Sequence, residues 1–94
     1  MYRAEIVANQ SIQEDLTELL EQTIPNILYT IIPLVQGRGK SDRKLGNTTW
    51  PETNFLLFSY VEDSEIEKVR AVVRAIKKTF KDEGVKLFTL KDSE

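Results

Sequence analysis

The 94-residue sequence contains no cysteine and no histidine. Disulfide bonds are therefore excluded, and so are metal sites built from the usual cysteine and histidine ligands. The chain also lacks the side chain that most often acts as a general base near neutral pH. No acidic residues stand at the spacing of a carboxylate metal site, and no serine has a visible activating partner. The sequence thus predicts neither a metal site nor a catalytic residue.

Long apolar runs and an excess of positive charge are absent as well. No run reaches the roughly 20 apolar residues that span a bilayer. The first residues follow a strand pattern and do not resemble a signal peptide. The formal net charge of -2 gives no general attraction for nucleic acid. We therefore expect a cytoplasmic protein without direct membrane insertion and without a nucleic-acid partner.

What remains is an ordinary globular composition, with 40% hydrophobic and 30% charged residues. A chain of this length forms one domain, spanning residues 1–94. A domain this small has a modest core, so it would gain stability by burying one face against copies of itself.

Hydrophobic periodicity predicts six elements in the order β-α-β-β-α-β. Strands are predicted over residues 2–8, 27–36, 53–61 and 85–90, and helices over about 11–22 and 64–80. Two Ser-x-x-Glu patterns, beginning at Ser11 and Ser64, predict capping boxes at the helix starts. Gly84 is predicted to follow the second helix at its C′ position.

This order predicts a ferredoxin-like α+β fold, in which two helices cover one face of a four-stranded antiparallel sheet. Pro33 lies inside the second predicted strand and requires an edge, a bulge or a break, because proline cannot donate to a strand ladder. The third strand is apolar on both faces, with Phe55 and Leu57 on one and Leu56 and Phe58 on the other. Apolar residues on both faces imply burial on both sides, so we expect oligomerisation through the open sheet face.

A long connection between the second and third strands is the candidate ligand-binding segment. It contains three of the four glycines, the only tryptophan and a group of cations. The candidate ligand-binding residues are Gly37, Arg38, Gly39, Lys40, Ser41, Lys44, Trp50 and Asn54. The cations could hold phosphate or carboxylate, the glycines could permit positive φ and close approach of a ligand, and Trp50 could stack on a base.

The same residues allow a purely structural interpretation, and the sequence leaves both open. Gly37 and Gly39 could end a strand in a turn, and the cations could be solvated loop charges. Trp50 could fill a gap against a neighbouring subunit, and Asn54 could form an Asx turn.

The element order, together with Val35-Gln36-Gly37-Arg38-Gly39 at the end of a strand, resembles the PII signalling proteins over essentially the whole chain. A divergent PII-like subgroup is similar in more detail, through Gly37-x-Gly39-Lys40-Ser41, Leu45-Gly46 and Trp50-Pro51. The resemblance implies a homotrimeric regulatory protein rather than an enzyme. It further implies a small anionic ligand, with adenine nucleotide as the candidate, in clefts between subunits. Some subgroup members are encoded near resistance-nodulation-division efflux pumps, which implies a protein partner such as a membrane transporter or efflux component.

The sequence departs from the PII pattern where PII proteins hold phosphates. The connection before the last strand contains Gly84 but no Gly-Asp-Gly motif, and no arginine-bearing extension follows that strand. ATP-dependent nitrogen signalling is therefore not expected to carry over unchanged. The alternatives are a structural interaction module without a ligand, a CutA-like metal-tolerance protein, and a small enzyme that uses a lysine in the cleft.

Overall fold

A computed structural model describes residues 1–37 and 53–92. The strands are β1 (Tyr2–Asn9), β2 (Thr30–Val35), β3 (Asn54–Val61) and β4 (Val85–Lys91), and the helices are α1 (Gln13–Thr23) and α2 (Ile66–Thr79), with a 3-10 turn at Gln10–Ile12. Their order along the chain is the predicted one. In the described part of the chain, neither helix has the length and apolar character needed to cross a bilayer.

The four strands form one antiparallel sheet in the order β2-β3-β1-β4. The first strand is central, and its residue Ala4 lies opposite Ser59 of β3 and Thr89 of β4. Both helices contribute to one buried core with a single face of this sheet. The predicted ferredoxin-like α+β fold is thereby confirmed.

The edge strand β2 carries a bulge at Pro33. Ile32 lies opposite Leu56, whereas Val35 lies opposite Asn54, so β2 has one residue more than its partner across this step. Because an edge strand has one unpaired side and a bulge interrupts the ladder, proline is tolerated here. Of the edge, the bulge and the break that the sequence allowed for Pro33, the edge and the bulge occur together.

The core follows the predicted apolar stripes. Ile6, Leu16, Leu20 and Phe55 are completely inaccessible to solvent. The second helix contributes five buried side chains, namely Ile66, Val69, Val72, Val73 and Ile76. The 3.6-residue period of the helices and the two-residue period of the strands thus converge on the same side of the sheet.

The capping box predicted at Ser11 is wrong. The Asn9 side chain instead accepts a hydrogen bond from the backbone N–H of Ser11 at 2.9 Å and opens the 3-10 turn. The first helix begins only after that turn, and its N-cap residue Ile12 makes no side-chain capping bond. Asn9 thus accepts from a backbone N–H that would otherwise lack a partner at the start of the turn. The Ser11 side chain is not needed as a cap.

The end assignments of α2 are wrong in a similar way. Its N-cap is Glu65, without a side-chain capping bond, and a backbone turn precedes it in which Glu65 N–H bonds to the Glu62 carbonyl at 2.8 Å. The helix ends before Phe80, whose N–H bonds to the Ile76 carbonyl at 2.9 Å. Gly84 therefore lies beyond the C′ position, and its φ is not positive.

Candidate functional site

The two ends of the candidate ligand-binding segment leave the sheet side by side. Val35 pairs with Asn54, and Gly37 follows Val35 by two residues. Of the eight predicted ligand-binding residues, the structure describes Gly37 and Asn54. The other six, Arg38, Gly39, Lys40, Ser41, Lys44 and Trp50, lie outside the described residues.

Gln10 ties both ends of this segment to the turn between β1 and α1. Its backbone N–H donates to the Thr53 carbonyl at 2.9 Å, and its side-chain Oε1 accepts from the Thr53 hydroxyl at 3.2 Å. Its side-chain N–H donates to the Pro33 carbonyl on the bulge of β2. One side chain thus joins β2 to the start of β3, a role that the sequence did not suggest. The polar pair Asn9-Gln10 between a strand and a helix was its only signal.

Gly37 does not adopt the left-handed conformation that the sequence allowed for it. No described glycine has positive φ. Among the described residues, nothing lies within 4 Å of a Cβ atom built at Gly37. Packing against residues 1–37 and 53–92 therefore does not require glycine at this position.

The connection between α2 and β4 reaches the sheet at the same end. Val85 opens β4 opposite Ala8, one residue before the end of β1. The loop stems, the Gln10 turn and this connection therefore surround one end of the sheet. Within residues 1–37 and 53–92, no group of acidic side chains is placed to hold a metal ion.

The sheet face opposite the helices forms a second candidate surface, here called the open face. It is built from alternate strand residues, namely Arg3, Glu5, Val7, Thr30, Ile32, Leu56, Phe58, Tyr60, Lys86, Phe88 and Leu90. Tyr60, Phe88 and Leu90 are 57%, 55% and 62% exposed, so large apolar side chains stand in solvent here. In the described chain, neither helix packs on this face. The prediction that the third strand is apolar on both faces is confirmed, whereas oligomerisation stays a prediction.

Arg3 lies on the inner strand β1, toward the end of the open face far from the loop stems. Its Nε donates to Glu5 Oε2 and its Nη1 to the Tyr60 hydroxyl, both at 2.5 Å. The guanidinium carbon is 4.6 Å from the centroid of the Phe58 ring and 5.4 Å from that of Tyr60. The hydrogen bond to Glu5 is the main cause that raises the pKa of Arg3, so the group stays charged. A cation over two aromatic rings and beside a carboxylate is stabilised by both.

A shallow cavity of about 230 Å³ lies at the end of the open face far from the loop stems. Its wall is formed by Met1, Tyr2, Arg3, Tyr60, Leu90, Lys91 and Asp92. Because Arg3, Tyr60 and Leu90 also belong to the open face, the cavity adjoins that face at the end of the sheet.

The fold is similar to that of solved proteins over almost its whole length. CPII from Thiomonas intermedia K12, described as a nitrogen regulatory PII-like protein and solved with ADP, AMP and bicarbonate, matches with a TM-score of 0.66 and 14% identity over 99% of this chain and 92% of its own. A PII-like signalling protein from Thermus thermophilus matches with a TM-score of 0.63 and 21% identity over 95% and 83%. The chain has the fold of the PII-like proteins.

A PII-like fold is not by itself a function. The de novo designed protein Foldit4 also matches, with a TM-score of 0.63 and 14% identity over 97% of both chains. No family model and no curated protein sequence matches this chain. Because a designed protein shares the architecture, any activity must be argued from the two surfaces described above.

Proposed function

We propose that this protein is a PII-like regulatory protein that binds a small anionic ligand and passes the signal to a protein partner. It assembles as a homotrimer through the open face, holds the ligand in clefts between subunits and presents residues 37–54 to the partner. The observation that carries the proposal is the PII-like fold over nearly the whole chain, combined with an apolar sheet face that neither helix of the described chain covers.

Adenine nucleotide is the first ligand to test. CPII was solved with ADP and AMP, and in this chain the loop stems and the α2–β4 connection surround one end of the sheet. None of the described residues lies within 4 Å of a Cβ atom built at Gly37, which would let phosphate oxygens approach its backbone N–H. The sequence supplies four cations in the connecting segment to balance phosphate charge.

The mechanism we propose is ordering of the connecting segment by the ligand. A ligand that contacts the segment in one arrangement better than in others shifts the population toward that arrangement. The partner then distinguishes the ligand-bound protein from the free one. We propose a cytoplasmic protein that acts by binding and not by catalysis, with a membrane transporter or efflux component as the partner class.

The test is calorimetric titration of the protein with ADP, AMP and ATP, each with and without bicarbonate, followed in parallel by Trp50 fluorescence. Saturable binding supports the proposal, and recovery of intact nucleotide afterwards supports a non-enzymatic role. Gly37→Ala should weaken binding by roughly tenfold, because a methyl group would stand where the ligand approaches the backbone. Thermal unfolding of Gly37→Ala should stay unchanged, because its added Cβ atom meets nothing within 4 Å.

Charge provides the matched comparison. Lys44→Ala removes a cation from the candidate segment, and Arg74→Ala removes one from an exposed position in the middle of α2. Only the first should weaken nucleotide binding. A protein that assembles but binds none of these ligands would contradict the ligand site and favour the structural interaction module.

A further inference from the structure

The open face combines a strongly apolar surface with three charged side chains, those of Arg3, Glu5 and Lys86. Ile32, Phe88 and Leu90 are exposed on the two edge strands, and Arg3 lies between them on central strand β1. Any surface that covers the apolar residues must also cover this arginine. Burial of a charge is costly unless the charge is paired and hydrogen-bonded.

The chain already provides that pairing. Arg3 is bound by the Glu5 carboxylate and the Tyr60 hydroxyl and lies over the Phe58 ring. In the single chain, the side chains of Arg3 and Glu5 are already only 31% and 29% exposed. Part of the desolvation cost is thus met within one chain.

We propose that the Arg3–Glu5–Tyr60 group is the element that allows a second copy of this chain to cover the open face. This inference rests on the homotrimer of the proposed function and assigns the residues on which its assembly depends. The apolar side chains supply the affinity, and the internal pairing allows Arg3 to be covered without becoming an uncompensated ion.

The charge of the open face favours a second copy as the occupant. Its strand residues carry two positive charges, Arg3 and Lys86, and one negative charge, Glu5, and the Arg3–Glu5 pair cancels. Two identical faces therefore repel each other little, and a strongly charged partner finds little to attract it. The apolar side chains extend from β2 to β4 across the whole sheet, which suits a face-to-face contact between copies.

The experiment is sedimentation velocity across a dilution series of the full chain. Glu5→Ala leaves the Arg3 charge without its carboxylate, so the assembly should weaken by roughly tenfold or more. The double variant Arg3→Met/Glu5→Leu removes both charges and keeps the volume, so it should assemble at least as tightly as the wild type. Arg74→Met removes a cation from an exposed position of α2 and should change nothing.

Salt provides a second readout. Because the Arg3–Glu5 pair is formed within one chain, its contribution to the dissociation constant should change little with salt, unlike that of an ion pair formed between chains.

Should Glu5→Ala fold poorly, Tyr60→Phe provides a second variant. It removes only the hydroxyl and keeps the ring, and it should weaken assembly to a smaller degree.

The outcomes separate this inference from the proposed function. A wild-type protein that stays monomeric at every concentration would overturn both. A wild type that assembles while Glu5→Ala assembles equally well would overturn only the role of Arg3 and Glu5. A double variant as weak as Glu5→Ala would overturn it as well, because the loss would then not come from an unpaired buried charge.

Discussion

At the scale of single residues, phenylalanine is buried on one face of the sheet and exposed on the other. Phe55 of β3 is fully buried against the helices, whereas Phe88 of β4 stands in solvent on the open face. Phe55→Ala should lower the free energy of unfolding by about 3–5 kcal/mol, because it leaves a cavity in the core. Phe88→Ala should change the free energy of unfolding of the isolated chain by only about 0.5 kcal/mol or less.

Urea denaturation checks this pair of variants at a dilution where the wild-type chain is monomeric. At higher concentration, Phe88→Ala should reduce assembly while Phe55→Ala acts through folding. Equal destabilisation of the diluted chain by both changes would contradict the assignment of the two faces.

Tyr29 provides a pH-dependent contribution to stability. Its hydroxyl donates to the Glu21 carboxylate at 2.5 Å, and this bond, together with burial, raises the pKa of Tyr29. The folded protein therefore holds this proton more tightly than the unfolded chain. The stabilisation is present in full below the unfolded pKa of about 10 and is lost as pH rises through the raised folded value.

Tyr29→Phe should accordingly cost up to about 1 kcal/mol at pH 7. As the pH rises above the unfolded tyrosine pKa of about 10, the difference in free energy of unfolding between Tyr29→Phe and the wild type should shrink. Thermal unfolding at a series of pH values measures this difference, and Glu21→Gln provides the control that removes the carboxylate. A constant difference between wild type and Tyr29→Phe across the alkaline range would contradict the role of this bond.

At the scale of elements, the turn after β1 controls how the edge strand β2 is held. Gln10 bonds to Pro33 on β2 and to Thr53 before β3. Gln10→Ala keeps the backbone bond to Thr53 but removes the side-chain bonds, so we expect a loss of roughly 1 kcal/mol. Amide hydrogen exchange should become faster at Val35 and stay unchanged at Ile6 in the core.

Gln22→Ala, at an exposed position of α1, is the matched comparison and should leave the exchange at Val35 as it is. If the Val35 amide exchanges at the same rate in Gln10→Ala and Gln22→Ala, the side chain of Gln10 does not hold β2 in place.

The elements themselves were largely predictable, because periodicity reports which face is buried. The stripes of α1 and α2, and the alternation in β3, appear in the structure as the sequence predicts. Element ends were harder to predict, because a backbone N–H donates to whichever acceptor is nearest. The second strand starts at Thr30 rather than residue 27, since Ile27 N–H already bonds to the Ile24 carbonyl at 3.0 Å in a turn.

The site was less predictable than the fold for a different reason. The contact between Arg3 and Tyr60 joins residues 57 positions apart and depends on the register of β1 against β3. Composition cannot reveal such a register. The glycines and cations of the connecting segment, in contrast, stand out in the sequence, and their role stays a prediction.

At the scale of the whole molecule, assembly should couple to stability. If copies cover the open face, the folded assembly is favoured by mass action. The midpoint of thermal unfolding should rise by roughly 5–15 °C over a hundredfold increase in protein concentration. Calorimetry at several concentrations measures this rise, and a midpoint independent of concentration would contradict assembly through the open face.

The bulge at Pro33 has a consequence for how copies of the chain can meet. An exposed strand edge is a template on which another chain can add its own strand, and repetition of that step gives fibres. The bulge and the missing N–H of proline interrupt the regular edge of β2. Open-ended growth by strand addition along that edge is therefore disfavoured.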